Sequence, residues 1–311
     1  MSNVIPLHQS KPLIEEYKAY ISGKSAKTID AYIRSIHQLT EWISAKPGSA
    51  GKFQPEQFTK TAMEMYLSYL EDEGYSINHR NRIKSAASSF ARWLIEEKGL
   101  LQQNPTRGVD IPPQPLLAPR ELSKDQRYVL RNLVEREGDL RGKAIFALGY
   151  WAGLRISDVS WLMVKDTYIG PKIGWLRVGY KGGKRREIDL LNQVRRPLSN
   201  YLEHGKRIKD SPYVFTSQRC EQLTEAGIHH WFRKLKSLAT KDEWDLIHDV
   251  TFHHLRHDFA HRARESGWTI EEIAYYLGHV TKKGTPAIAT TARYTQVSRK
   301  QIKEKLYQIK G

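Results

Sequence analysis

Arg155, Lys181, His253, Arg256, His279 and Tyr294 are the side chains of this 311-residue sequence that could together act on a phosphodiester. They occur in that order, each in a short context: Gly153-Leu154-Arg155-Ile156-Ser157-Asp158, Tyr180-Lys181-Gly182-Gly183-Lys184, His253-His254-Leu255-Arg256-His257, Leu277-Gly278-His279 and Thr290-Thr291-Ala292-Arg293-Tyr294-Thr295. Breaking a phosphodiester needs an in-line nucleophile, charge neutralisation on the non-bridging oxygens and a proton for the leaving oxygen. Arginine suits the second task, because its planar fork can bond two phosphate oxygens at once. A lysine at a glycine turn can deliver the proton. A tyrosine is a weak nucleophile at its ordinary pKa near 10, and nearby cations favour its phenolate.

Each motif has a plainer reading. Asp158, three residues after Arg155, can orient that arginine on a helix, but such pairs are usually surface ion pairs. His253 and Arg256 are also three apart and share a helix face. His253, His254, His257 and His261 have spacings that could bind zinc. No cysteine lies near them and the paired arginine repels a cation, so no metal site is expected, and His254, His257 and His261 read as packing or surface residues. Lys184, Arg185 and Arg186 follow Lys181 and are candidate phosphate contacts, with Lys184 an alternative proton donor. Tyr275, Tyr276 and Tyr307 compete with Tyr294 for the nucleophile. Tyr294 is preferred because it follows His279 on a polar segment and precedes an amphipathic stretch.

These residues need elements to hold them. Gly153 is expected to end a helix and place Arg155 at the start of the next. Strands at 173–180 and 185–190 around Lys181-Gly182-Gly183-Lys184 predict a β-hairpin. Ser123 and Gln126 fit a capping box. Helical patterns run over 124–136, 142–152, 155–162, 193–207, 224–238, 253–266, 270–278 and 298–309. In the last of these, Ile302, Leu306 and Ile309 form an apolar stripe.

Residues 104–119 hold five of the 13 prolines, which predicts an extended linker, placed at 105–119. It separates a helical N-terminal domain, 11–104, from a C-terminal domain, 120–311. In the first, Ser25 is a plausible N-cap, and Ile29, Tyr32, Ile33, Ile36, Leu39 and Ile43 make one stripe. A second helix spans about 59–73, with Met63, Tyr66, Leu67 and Leu70 on one side. A third spans 77–98 around Ala86, Ala87, Phe90, Leu94 and Ile95. Its early turns carry Arg80, Asn81, Arg82 and Lys84, candidates for contacting phosphates and base edges. The class is mainly α with a small β-sheet.

The formal charge is +16 and the pI about 9.7. Residues 1–104 carry 13 Lys+Arg against 11 Asp+Glu, a net of +2, whereas 105–311 carry 37 against 23, a net of +14. A polyanion partner follows, with most contact in the second half. The single cysteine, Cys220, excludes an internal disulfide framework and fits a reducing compartment. Near the middle, the longest charge-free stretch is 144–154, far short of the roughly 20 residues of a membrane span. The start of the chain shows no basic-then-apolar signal. A cytoplasmic protein, nucleoid-associated when bound to DNA, is expected.

An arginine in Gly-Leu-Arg-Ile-Ser-acidic, a hairpin lysine, His-x-x-Arg, Leu-Gly-His and a late tyrosine, in that order, resemble the active site of the tyrosine recombinases, the phage-integrase and Xer family. The resemblance implies a helical core-binding domain and a mixed α/β catalytic domain that form a C-shaped clamp on double-stranded DNA. It also implies that Tyr294 is the nucleophile, that Lys181 protonates the leaving 5′-hydroxyl, that Arg155 and Arg256 hold the scissile phosphate and that His253 and His279 assist. It implies site-specific recombination in mobile-element integration or resolution, without metal or nucleotide cofactor. The assembly would be a homotetramer linked through the last helix. Two alternatives stay open: a type IB topoisomerase-like activity and a catalytically idle DNA-binding accessory protein. The chain departs from the family pattern in the 15 residues from His279 to Tyr294, longer than is usual. Thr281-Lys282-Lys283-Gly284-Thr285-Pro286 predicts a mobile loop there, which leaves open whether Tyr294 serves its own protomer.

Overall fold

The computed structural model describes residues 7–112, 121–179 and 185–281, together with positions 285, 287, 288 and 291. Lys181, Lys184, Tyr294, Tyr307 and the 298–309 stretch lie outside the described residues. The chain divides into two units, Met1–Pro115 and Leu116–Gly311.

The first unit is helical: α1 (Leu7–Tyr20), α2 (Ala26–Ser44), α3 (Lys60–Asp72) and α4 (Ile77–Glu96). Ser25, Thr59 and Ser76 each accept a backbone N–H of the first turn, which starts α2, α3 and α4 in place. The expected α2 stripe does point inward, with Ile36, Leu39 and Ile43 buried against Met63, Tyr66 and Phe90. α1 escaped the sequence reading. Its Tyr17 is fully buried and packs edge-on against Phe90 at 5.1 Å.

Two expectations in this unit are corrected. Arg80 is not presented outward: it is 4% exposed, and its fork grips the Glu71 carboxylate at 2.7 and 2.9 Å, tying α4 to α3. The proline-rich stretch is not extended at its start. Asn104 donates to Ser88, its Oδ1 accepts from Thr106, and Val109 is buried in the helical core while Lys84 donates to its carbonyl. Residues 104–109 thus fold back onto α4.

The second unit contains α5 (Lys124–Glu137), α6 (Leu140–Tyr150), α7 (Ile156–Ser160), α8 (Asn192–His204), α9 (Glu225–Lys236), α10 (Lys241–Ile247), α11 (Phe252–Glu265) and α12 (Ile270–Leu277). A sheet of β1 (Thr167–Ile169), β2 (Gly174–Val178) and β3 (Arg186–Asp189) is antiparallel in the order β1-β2-β3. The Ser123–Gln126 capping box opens α5 as expected. α6 is buried nearly all round, so it lies inside the core rather than on its surface. β2 and β3 pair with Val178 opposite Arg186, the two arms of the expected hairpin. β1 and α10 were not foreseen; both are short, and β1 is only three residues long.

α11 is anchored from beneath. Asp258 is fully buried and accepts from Arg127 of α5 at 2.8 Å and from Arg262 at 2.9 Å. Arg262 also lies over the rings of Tyr150 and Trp151. A buried carboxylate with two such partners is costly to disturb, so this cluster fixes the register of α11. Among the described residues no helix is long and apolar enough to cross a membrane.

Candidate active site

The site is built around the C-terminal end of α12. A helix end leaves its last carbonyls without intrahelical partners and carries partial negative charge. Here those carbonyls are taken by three guanidinium groups. Arg186 Nε donates to Tyr276 O at 2.7 Å. Arg155 Nη1 and Arg256 Nη2 both donate to Leu277 O, at 3.1 and 2.7 Å. Arg155 Nη2 also reaches Gly278 O at 3.4 Å. The two arginines singled out from motifs 101 residues apart in sequence therefore meet on one oxygen.

Local sequence explains how they arrive there. Gly153 has φ 60 and ends the α6 segment as expected. A side chain there would also strike Phe259, 2.6 Å from the would-be Cβ. Arg155 then occupies the N-cap of α7, half-buried. Arg256 comes from the middle of α11 and is fully buried; its Nη1 donates to Gly153 O at 2.7 Å. The Gly153 turn thus places Arg155 and also binds Arg256.

His279 follows the αL glycine Gly278 and is 5% exposed. Arg256 has only donors, so its 2.9 Å contact with His279 Nε2 makes that nitrogen an acceptor. The ring proton then sits on Nδ1 and is donated to Thr291 Oγ1 at 3.1 Å, and Thr291 in turn donates to Ala287 O. Burial, then Arg256, Arg155, Arg186 and His257, push the His279 pKa down to about 3. His253 stands at the surface of α11, and partial burial, Arg256, His254 and Arg155 lower its pKa to about 4. Both shifts favour the neutral imidazole, and the one acceptor nitrogen of His279 is already engaged by Arg256. Their depression reports burial first and the neighbouring arginines second.

The remaining expectations divide. Asp158 does not orient Arg155: its carboxylate pairs with Arg186 Nη2 at 3.4 Å, while Arg155 is occupied by the α12 carbonyls. Arg186 is not a surface contact, since its side chain is 11% exposed. Arg185 is exposed. His254 closes the N-terminus of α11 by accepting from Thr251 N–H, and His257 is buried, so the packing reading of these two holds. Among the described residues no group of three or more His, Cys, Asp and Glu side chains could hold a metal ion. Tyr276 is a poor rival nucleophile: it packs on Phe259 and Trp268, and burial pushes its pKa up to about 12.

The long His279–Tyr294 segment is drawn together at its described positions. Thr281 N–H donates to Thr285 O at 2.8 Å, and Ala287 N–H returns to His279 O at 2.6 Å. Thr291, missed in the sequence reading although it stands in the tyrosine motif, is fully buried.

In the helical unit, Asn81 and Arg82 are exposed and Lys84 is half-buried. An open cleft of about 650 Å³ runs beside them, lined by Lys24, Tyr32, Asn81, Lys84, Arg92 and Arg107 among others, with four cations and no acid. Lys24, Arg92 and Arg107 had no signal in sequence, because they come from three separate segments.

The phage integrase family model matches residues 120–301, and that of the phage integrase N-terminal SAM-like domain matches residues 13–99. The tyrosine recombinase XerA of Pyrococcus furiosus is 30% identical over 299 residues, which cover 94% of this chain and 92% of the relative. The fold is shared with the Tn1549 transposon integrase in complex with a circular intermediate DNA, at TM-score 0.71 and 16% identity over 96% of this chain and 99% of the other. It is also shared with a lambda integrase tetramer bound to a Holliday junction, at TM-score 0.68 and 18% identity over 96% and 80%. The chain belongs to the phage integrase family and is a tyrosine-type site-specific DNA recombinase.

Proposed function

We propose that Tyr294 attacks the scissile phosphate of a DNA core site to form a 3′-phosphotyrosyl bond. The phosphorus–O5′ bond breaks, and Lys181 supplies the proton that leaves with the 5′-hydroxyl. A 5′-hydroxyl from the partner strand then attacks the phosphotyrosyl bond and frees the tyrosine. One phosphoester replaces another, so no nucleotide is consumed. The observation that carries this reading is the meeting of Arg155 and Arg256 at Leu277 O, with His279 bonded to Arg256. Such preorganised donors stabilise charge that builds on the phosphate oxygens. Arg155, half-buried, can turn a prong toward an anion directly. Arg256 is buried deeper and reaches the anion by exchanging its Leu277 or His279 bond, the kind of tightening that substrate induces. Thr291, three residues before Tyr294 in sequence, is bonded to His279, which favours Tyr294 over its rivals.

In this reading, residues 11–109 form the core-binding domain, the stretch after them up to 119 the linker and 120–311 the catalytic domain. The cleft cations of the helical unit, with Asn81 and Arg82, track the DNA backbone. The substrate is double-stranded DNA with specific core sites, as the Tn1549 and lambda complexes suggest. The working assembly is a homotetramer linked through the helix expected at 298–309, acting in the cytoplasm on mobile-element DNA. The test is selection of bound DNA from a random or genomic pool, followed by capture on nicked copies of the selected site in excess EDTA. A protein–DNA adduct stable to denaturant, mapped to a 3′-phosphate, is expected. Selected DNA without an adduct, or strict dependence on a divalent ion, would overturn the reading.

A further inference from the structure

Arg186 stands in a basic run whose expected role was DNA contact, yet it is turned into the protein. Its Nε donates to Tyr276 O at 2.7 Å and its Nη2 pairs with Asp158 Oδ2 at 3.4 Å. The backbone at Gly278 (φ 66) closes over the same guanidinium: a Cβ there would lie 2.7 Å from Arg186 Nη1. One side chain at the first position of β3 thus joins α7, through Asp158, to the end of α12. These are the two elements that seat the phosphate pocket. Arg155 caps α7, and the next two carbonyls after Tyr276, those of Leu277 and Gly278, hold Arg155 and Arg256.

We infer that Arg186 is a positioning residue of the recombination reaction: it locks the end of α12 against α7 so that Arg155 and Arg256 are held in phosphate-binding geometry. The inference rests on the reading of that pocket as the phosphate site. It requires arginine, because a planar fork spans a carboxylate and a carbonyl at fixed angles, whereas an ammonium is a single point on a flexible stem. Arg186 touches no substrate; its effect passes through the two arginines.

The test uses the full-length protein with Arg186→Lys, which keeps a cation beside the buried Asp158. A second variant, Arg186→Gln with Asp158→Asn, removes both charges together and covers the case in which the first folds poorly. DNA affinity and its salt dependence are measured first. Single-turnover covalent capture is then compared on a nicked site with an ordinary scissile phosphate and on one carrying a methylphosphonate there. The methylphosphonate is uncharged and makes little demand on correctly held guanidinium groups. Capture on the ordinary phosphate should fall by about 10–10²-fold, as misplacement near 1 Å can cause. On the methylphosphonate, variant and wild type should react alike, and affinity and salt slope should be unchanged. A salt slope reduced by about one unit would make Arg186 a direct phosphate contact and overturn the inference. An equal defect on both substrates would leave it a merely structural residue, and no defect on either would remove it from the site. Arg155→Ala is run in parallel. If it too gains nothing on the methylphosphonate, the phosphate reading of the pocket has failed; if it is rescued while Arg186→Lys is not, only the Arg186 inference has.

Discussion

In the C-terminal unit Arg256 is buried and Arg155 half-buried, and each is fixed by backbone carbonyls, whereas in the N-terminal unit Lys24, Arg92 and Arg107 stand exposed around an open cleft. Both sets are cationic and both suit phosphate. Their energetics differ. A desolvated guanidinium acts at short range in a low-dielectric site and costs no reorganisation when charge develops. A solvated lysine or arginine is screened by salt, contributes through counterion release and can follow a moving backbone. The first arrangement suits rate and the second affinity. The following variants should separate the two.

The largest effect belongs to the nucleophile. Tyr294→Phe should lower covalent capture by about 10⁴-fold or more, as loss of a nucleophile does, with DNA binding retained. The adduct is scored on a denaturing gel with a nicked site. An adduct of normal yield from the Phe variant would move the nucleophile elsewhere, first to the exposed Tyr275. Next comes the general acid. Lys181→Ala should cut ordinary DNA about 10²–10⁴-fold more slowly. A 5′-bridging sulfur is a better leaving group and needs no proton, so it should restore the rate. Equal defects on oxygen and sulfur substrates would transfer the role to Lys184.

What the sequence could show follows from how each residue is held. Arg155, Arg256 and His279 were legible because local motifs place them: a glycine turn, a helix spacing and a second glycine turn. Arg80 and Arg186 were misassigned for one reason. A charged residue in a basic run looks solvated until its tertiary partner is known, and Glu71 and Asp158 lie on other elements. Asp158 stands three residues from Arg155 in sequence, and that local spacing hides its true partner on β3. α2, α3 and α4 were legible from their stripes, α1 was not, and α10 and β1 were too short for periodicity to register.

The buried pocket should also carry a pH signature that the open cleft lacks. His279 and His257 both have pKa values lowered to about 3, first by burial and then by neighbouring cations and histidines. In the unfolded chain a histidine titrates near 6.5. Between pH 6.5 and about 3 the unfolded state therefore binds more protons than the folded one. Stability is present in full above pH 6.5 and falls as the pH drops through that window. Urea denaturation at pH 7.5 and 5.0 reads this directly. His279→Gln should be less sensitive to the change; an identical pH dependence in variant and wild type would mean that this ring is not held neutral by the fold.

The smallest effect is expected in the helical unit and tests the other half of the comparison. Arg92→Ala with Arg107→Ala removes two exposed cations from the cleft without touching its core. Removing one cation from the DNA backbone should lower the slope of log K against log salt by about 0.9, so the double variant should drop by nearly two units. Affinity near physiological salt should fall modestly, while capture at saturating DNA should proceed at the wild-type rate, since nothing in the pocket has changed. Arg80→Met is the contrasting variant. It breaks the buried grip on Glu71 and should lower the melting temperature of the helical unit while leaving the salt slope intact. The separation of roles would collapse if the cleft variant slowed at saturation, because the open cations would then reach the chemical step. It would collapse equally if Arg80→Met flattened the salt dependence, because a side chain 4% exposed would then be contacting DNA.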